Sequence, residues 1–450
     1  MFTKILVANR GEIARRIMRT ARGMGVASVA IYSEADRSAL HVAEADEAYC
    51  VGAAAPQQSY LQGGRVIDAA LQSGAQAIHP GYGFLSENAD FARRVMAAGL
   101  TWIGPDPQLI DALGDKVNAR NLMSGVGFPV NPGGLAGDAA AVEALVDEIG
   151  LPVMVKAAAG GGGIGMKVVH RRADLWPACE RASQQAARLF GDPTLLIERF
   201  MEGARHVEVQ ILGLNSGEVL ALGDRDCSVQ RRFQKIVEES PSPGVSQKLR
   251  AHLLEASASS AEALGYRGAG TIECLVRDDE FVFLEVNARL QVEHPVTEMV
   301  TGLDLVEAQL HIAANEPWQP PNGRVEAHGH AIELRIYAED PRTFLPAPGL
   351  LSCWREPVGE GVRVDSGYQA GDTVTPFYDP LLAKLCVHGA DRPAALSKAR
   401  HAVRAFEVEG PKTNLPFLAE LLNDSAFRNG DYDTGFVSRM QQAKAVKEPS

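Results

Sequence analysis

Apolar residues in the first hundred positions fall into short runs divided by amphipathic stretches. Residues 4–8, 26–32, 75–79 and 100–103 read as buried strands. Between them, 11–24 places Ile13, Ile17 and Met18 near one face of a helix, and 65–72 and 89–98 read as further helices. Strand–helix alternation at this spacing predicts a doubly wound parallel sheet. Gly104-Pro105-Asp106-Pro107 breaks the pattern, and a second unit begins near 114. Within it, 128–137 is rich in Gly and Pro and marks the hinge of a smaller subdomain ending near Met201. Residues 317–322 (PWQPPN) read as a linker. After it, 330–390 reads as short strands with turns, followed by helices over 392–406 and 414–423 and a frayed tail after Met440. The expected division is 1–113, 114–316 with a subdomain over about 130–202, and 324–440.

Two local patterns carry candidate chemistry. Residues 153–155 and 166–169 read as strands around a small-residue loop, 157–165, that contains the four glycines Gly160, Gly161, Gly162 and Gly163. Such a loop lets backbone N–H groups approach phosphate oxygens. No Gly-Lys-Ser/Thr follows and the next element is a strand, which excludes a Walker A loop and a Rossmann fingerprint. A hairpin closing over a nucleotide, with Lys156 at its base as a phosphate partner, fits better. The plain alternative is a surface hairpin.

The second pattern is acidic. Strands over 271–277 (TIECLVR) and 281–290 (FVFLEVNARL) flank Asp278-Asp279-Glu280. With all three residues in the loop, Arg277 faces Phe281 and Glu273 lies opposite Glu285. Facing like charges destabilise a sheet, unless a divalent cation sits between them; Mg²⁺ favours carboxylates plus substrate phosphates. The competing reading is a slipped register with both carboxylates solvated. Continued alternation puts Glu285, Asn287, Arg289, Gln291 and Glu293 on one strand face, up to His294-Pro295. That face offers metal ligands (Glu285, Asn287), an anion fork (Arg289) and a general base (Glu293). His206, Glu208 and Gln210 alternate likewise, Lys235 lies in a polar loop, and Lys116 begins a helix. Arg335 shares a strand face with Glu333, and a structural ion pair is the simple expectation there.

Composition narrows the function. The net charge of -12 argues against nucleic acid as a partner. The six cysteines are scattered without CxxC spacing, as expected for reduced thiols rather than a zinc site or disulfide framework. The N-terminus turns polar at Ala8-Asn9-Arg10, too early for a signal peptide, and no apolar run is long enough for a membrane span. The expected location is the cytoplasm.

Taken in order, KILVANRGEIA, IHPGYGFLSEN, GDK, RHVEVQ, RDCSVQRR, EVNARLQVEHPVTEM, AEDP and FYDPLLAKL resemble the biotin carboxylase family over nearly the whole chain. The resemblance implies an α/β enzyme with an N-terminal doubly wound domain, an ATP-grasp domain with a glycine-rich lid, and a C-terminal α+β domain. It implies ATP at Lys116, Lys156, Gly161, Gly162, Gly163 and His206, with Glu198 near the adenine, Gln230 near the ribose or phosphates, and Met201 and Leu275 among the nucleotide contacts. Glu273, Glu285 and Asn287 would hold Mg²⁺ or Mn²⁺. Arg289, Gln291 and the Val292 backbone would hold bicarbonate, which Glu293 deprotonates for attack on the γ-phosphate. Lys235 and Arg335 would stabilise charge at the phosphates and on the biotin enolate. The only Met-Lys, Met166-Lys167, lies in the lid and is followed by Val, so biotin is expected on a separate carrier protein, and the resemblance implies a carboxyltransferase partner and a homodimer.

Two departures stand out. Ala158-Ala159, Gly160 to Gly163, and Ile164-Gly165 resemble the lid of urea carboxylases more than the Ser- and Arg-containing lid of many acetyl-CoA carboxylase subunits, and Phe233 replaces a histidine usual in those subunits. A urea- or amide-type carboxylase component is therefore one alternative. Another ATP-grasp ligase forming an acyl phosphate and a catalytically dead nucleotide-binding scaffold are the others. The retained Glu273, Glu285 and Glu293 argue for an active enzyme.

Overall fold

The computed structural model describes residues 1–158 and 166–447. Five strands, β1 (Lys4–Val7), β2 (Ala27–Ser33), β3 (Glu47–Gly52), β4 (Ala77–His79) and β5 (Thr101–Trp102), form a parallel sheet in the order β3-β2-β1-β4-β5. This is the doubly wound sheet expected from the apolar runs. β3 escaped the pattern because it is an edge strand with only Val51 buried, so no apolar run announces it. The chain order reverses between β1 and β4, which opens a crevice at their C-terminal ends. Asn9 closes its floor by donating from Nδ2 to the Pro80 and Tyr82 carbonyls, at 2.8 and 2.7 Å.

The next strands, β6 (Gly133–Leu135), β7 (Val153–Ala157), β8 (Lys167–Val169) and β9 (Leu195–Arg199), make a small antiparallel sheet in the order β6-β9-β7-β8. Helices Ala139–Ile149 and Leu175–Phe190 cover it through Val142, Val146, Leu175, Cys179, Val155 and Ile197. The glycines Gly160, Gly161, Gly162 and Gly163, with Ile164, lie outside the described residues.

β10 (Arg205–Gly213), β11 (Val219–Arg231), β12 (Gln234–Ser240), β13 (Gly268–Arg277) and β14 (Glu280–Asn287) build the central sheet. β15 (His330–Tyr337) follows, then β16 (Gly349–Leu350), β17 (Cys353–Arg355), β18 (Val362–Ser366), β19 (Thr373–Val374), β20 (Leu381–Gly389) and β21 (Glu407–Glu409). The C-terminal strands do not stand apart. One eight-stranded sheet runs β14-β13-β10-β11-β12-β15-β20-β18, with β12 antiparallel to β15. The charged residues Glu333, Arg335 and Lys384 are therefore buried inside a continuous sheet. The tail also departs from expectation: Phe436–Lys447 is helical. Phe436 and Val437 are buried with Phe427 and Tyr432, and Met440 packs against them, which anchors the first turns of the helix, up to the point where fraying was expected.

Glu239 of β12 ties this helical end to the sheet. It accepts from Arg392 at 2.6 and 3.0 Å and from the Tyr432 hydroxyl, and it pairs with His330 at 2.5 Å. Burial pushes its carboxyl up, but the His330 and Arg392 hydrogen bonds outweigh this and hold it at about 2. A depressed folded pKa contributes stability that is present above the unfolded value near 4.5 and is lost as pH falls toward about 2. The stability gap between wild type and Glu239→Gln, measured by urea unfolding, is expected to be about 3 kcal/mol near pH 6 and to shrink steadily below pH ~4.5. A gap independent of pH would refute the ionised anchor.

Candidate active site

Glu273 and Glu285 do face each other across β13 and β14, but by a different route from the one expected. The hairpin loop has two residues, because Arg277 pairs with Glu280 and Asp278 takes a left-handed φ of 53°. That shorter loop would slip the register by one. A bulge opposite the Glu273–Cys274 step, at Leu284, restores it. The two deviations cancel, and Glu285 returns to Glu273.

The expected strand face beyond Glu285 is corrected. β14 stops at Asn287, and Pro295 seeds the first turn of helix His294–Thr301. Residues 288–293 form an irregular turn, and side-chain hydrogen bonds rather than strand alternation gather their polar groups. Arg289 donates to Asn287 Oδ1 at 2.8 Å, to Gln291 Oε1 at 3.0 Å and to Glu87 at 2.8 Å. Gln291 and Asn287 donate to Glu273 Oε1 at 3.0 and 2.9 Å.

Lys235 stands at the centre. Its ammonium lies 2.6 Å from Glu208, 2.8 Å from Glu273 and 2.6 Å from Glu293. Burial alone would lower the Lys235 pKa, but these three carboxylates raise it well above the ordinary lysine value. Glu293, fully buried, holds Lys235 through one oxygen and Arg335 through the other at 3.0 Å. Burial pushes the Glu293 carboxyl up, and Lys235, Arg335 and Arg225 together hold it well below the usual range. Arg335 also reaches Glu238 at 2.6 Å. It thus serves Glu238 and Glu293, not the Glu333 expected as its ion-pair partner. Burial raises Glu238 to about 7, so two carboxylates that share one guanidinium are pushed apart.

The alternating run singles out Glu208 and Gln210 but gives them no role, and nothing in it points to Arg225. All three are buried. Arg225 donates to Glu208 at 2.6 Å, Gln210 at 2.7 Å, Thr297 at 2.9 Å and Thr271 at 3.0 Å, which ties four elements together. The alternation of His206, Glu208 and Gln210 was the available signal. Nothing local shows that this face points inward.

A cavity of about 890 Å³ collects these groups at the crevice of the parallel sheet. Lys116, Lys156, His206, Gln230, Lys235, Glu273, Glu285, Asn287, Arg289, Gln291, Val292 and Arg335 all line it. His206 sits 2.9 Å from Glu273, which raises its pKa against the lowering effect of burial, and its Nδ1 lies 2.8 Å from Gln230. Burial lowers the pKa of Lys116. Glu198 lies off the cavity wall and meets it through Lys156, at 2.6 Å. Met201 and Leu275 form a small apolar cluster with Ala204 and Val282, also off the wall.

The donors suit a hard divalent cation. Glu273, Glu285 and Asn287 offer oxygen atoms, and among the described residues Glu285 carries no ion pair although it borders the cavity. Its carboxyl is raised by burial and by Glu273, the mark of unrelieved negative charge. A cation there relieves it.

Known proteins share this fold. The chain matches the family models for the biotin carboxylase N-terminal domain over 1–110, the carbamoyl-phosphate synthase L chain ATP-binding domain over 115–320 and the biotin carboxylase C-terminal domain over 333–439. It is 47% identical over 453 residues to a biotin carboxylase of Halalkalibacterium halodurans, covering 100% of both chains. It is 50% identical to the mitochondrial methylcrotonoyl-CoA carboxylase subunit alpha of Oryza sativa, over 97% of this chain and 60% of that one. In structure it is similar to a biotin carboxylase–β-γ-ATP complex from Campylobacter jejuni, with a TM-score of 0.95, 42% identity and coverage of 98% and 99%. The biotin carboxylase domain dimer of Hydrogenobacter thermophilus 2-oxoglutarate carboxylase, with MgADP, ADP and bicarbonate, gives a TM-score of 0.94 at 40% identity, covering 100% of this chain and 99% of that one.

Proposed function

The chain belongs to the biotin carboxylase family, and from that premise we propose that its cavity carboxylates carrier-bound biotin with ATP and bicarbonate through carboxyphosphate. The observation that carries the reading is the convergence of Glu273, Glu285, Arg289 and Arg335 on one cavity, with Glu293 held just behind its wall by Lys235 and Arg335.

In this reading Lys116, Lys156 and His206 bind the ATP phosphates, with Glu198, Met201, Gln230 and Leu275 toward the nucleoside. The loop with Gly161, Gly162 and Gly163, outside the described residues, is expected to supply backbone N–H groups to the phosphates. Glu273, Glu285 and Asn287 hold Mg²⁺ or Mn²⁺, which when bound neutralises charge on the phosphates. Arg289, Gln291 and the Val292 backbone orient bicarbonate. At rest Glu293 is a weak base, since Lys235 and Arg335 both grip it. Entering phosphates compete for the Lys235 ammonium, and a carboxylate released from one cation is more basic. Glu293 then takes the bicarbonate proton, a bicarbonate oxygen attacks the γ-phosphorus, and ADP leaves. Carboxyphosphate breaks to CO₂ and phosphate, and the phosphate removes the N1′ proton of biotin. Arg335 stabilises the resulting enolate while it attacks CO₂.

The partners in this reading are a separate biotin carboxyl carrier protein, a carboxyltransferase subunit and a second copy of the chain. The named dimer of the Hydrogenobacter domain supports the second copy. Among the described residues no helix is long and apolar enough to cross a membrane. The methylcrotonoyl-CoA and pyruvate carboxylase relatives favour an acyl-CoA or 2-oxo acid as final acceptor over urea.

ADP release with Mg-ATP, bicarbonate and free biotin tests the activity. Release that needs both bicarbonate and biotin supports it, and release that needs another acceptor refutes it. Silence in every mixture points to a scaffold. Glu285→Gln is expected to weaken Mg²⁺ binding in the ATP complex by about tenfold or more, read by calorimetric titration. Unchanged Mg²⁺ affinity would remove Glu285 from the metal set.

A further inference from the structure

Lys384 is fully buried, yet nothing in the reaction above uses it. It lies on β20 directly opposite Arg335 on β15, so two cations face each other within the sheet. Such a pair destabilises a sheet unless each cation has its own partners. Arg335 turns to Glu238 and Glu293. Lys384 turns to Glu12 in helix Gly11–Gly23, at 3.2 Å, and donates to the Val292 carbonyl at 2.9 Å. Burial would lower its pKa, but Glu12, Glu333 and Asp365 raise it, so the ammonium stays charged.

The neighbouring cations therefore grip neighbouring residues of one irregular turn. Arg335 holds the Glu293 side chain, and Lys384 holds the backbone just before it. The peptide between Val292 and Glu293 is planar, so fixing its carbonyl also fixes the Glu293 Cα and the N–Cα axis about which its side chain swings. Glu12 is in turn fixed by the Tyr82 hydroxyl, and Tyr82 lines the cavity. Gly367 permits the close approach of the segment after β18: a Cβ there would lie 2.9 Å from Glu12 N.

We propose that Lys384 is a positioning residue for bicarbonate activation, whose ammonium, anchored by Glu12, fixes the Val292–Glu293 peptide and so aims the Glu293 carboxylate. The turn has no ladder hydrogen bonds of its own to do this, since β14 has already ended. The proposal rests on the reading of Glu293 as the base.

The test is the double variant Glu12→Gln/Lys384→Met, which removes the buried pair without stranding either charge. In the folded double variant, kcat is expected to fall about tenfold to a hundredfold and the KM for bicarbonate to rise, while the KM for ATP stays unchanged. Amide hydrogen exchange in a 288–296 peptide should rise about tenfold, with the lid sheet unaffected. Unchanged exchange over 288–296 would overturn the proposal, as would equal losses toward ATP and bicarbonate. If the double variant does not fold, Glu12→Gln alone is read the same way, with smaller shifts of the same sign. Wild-type turnover without bicarbonate would overturn the functional reading instead, while the exchange measurement would still decide the role of Lys384.

Discussion

Glu293→Gln is expected to bind ATP as wild type does and to lose bicarbonate-dependent turnover by about a thousandfold. The amide keeps the size of the side chain and an oxygen for Arg335, so the turn over 288–293 persists. It cannot take a proton. It also removes one of the three carboxylates around Lys235, leaving Glu208 and Glu273 to hold that ammonium. Nucleotide affinity is therefore a fair control, because the lysines Lys116 and Lys156 make no contact with Glu293. ADP release at saturating Mg-ATP and varied bicarbonate reads the loss, and nucleotide titration reads the control. A near-normal rate would show that another group accepts the proton. A variant that fails to bind ATP would show that Glu293 instead holds the charge balance of the whole centre.

Arg225→Met is expected to cost as much stability as the loss of the Glu239 anchor. The guanidinium is wholly buried and satisfies Glu208, Gln210, Thr271 and Thr297. Its removal leaves those acceptors facing an apolar side chain and takes one of two cations from Glu208. Breaking a buried pair from one side costs about 3–5 kcal/mol. Because Lys235 still reaches Glu208, the lower end, about 3 kcal/mol, is expected. Urea unfolding followed by circular dichroism measures it. Glu208→Gln added to Arg225→Met should recover part of the stability, since the stranded charge is gone, and should not restore turnover. A loss below about 0.5 kcal/mol for Arg225→Met, the range of an ordinary surface substitution, would mean that Arg225 is not the hub the geometry describes.

Much of this centre was legible before any coordinates. Strand alternation predicts the facing pair Glu273 and Glu285, on a three-residue loop and a regular ladder. A two-residue loop and the bulge at Leu284 both depart from this and cancel. Alternation predicts one polar face from Glu285 to Glu293, but the strand ends at Asn287, and hydrogen bonds from Arg289 and Gln291 gather those groups instead. Arg335 was matched with Glu333, its neighbour on the strand face. Its partners come from β12 and from the turn.

The sequence by itself determined the parallel first sheet, the oxygen-rich hairpin and the roster of cations and carboxylates. Each of these rests on periodicity within a few residues, which the backbone imposes locally. Only the tertiary structure decided which charges meet. Lys235 reaches three carboxylates from three other segments, Arg225 four acceptors, and Lys384 a carbonyl 92 residues away. A buried charge takes whatever partner the packed sheet brings within reach, and sequence distance carries no information about that partner.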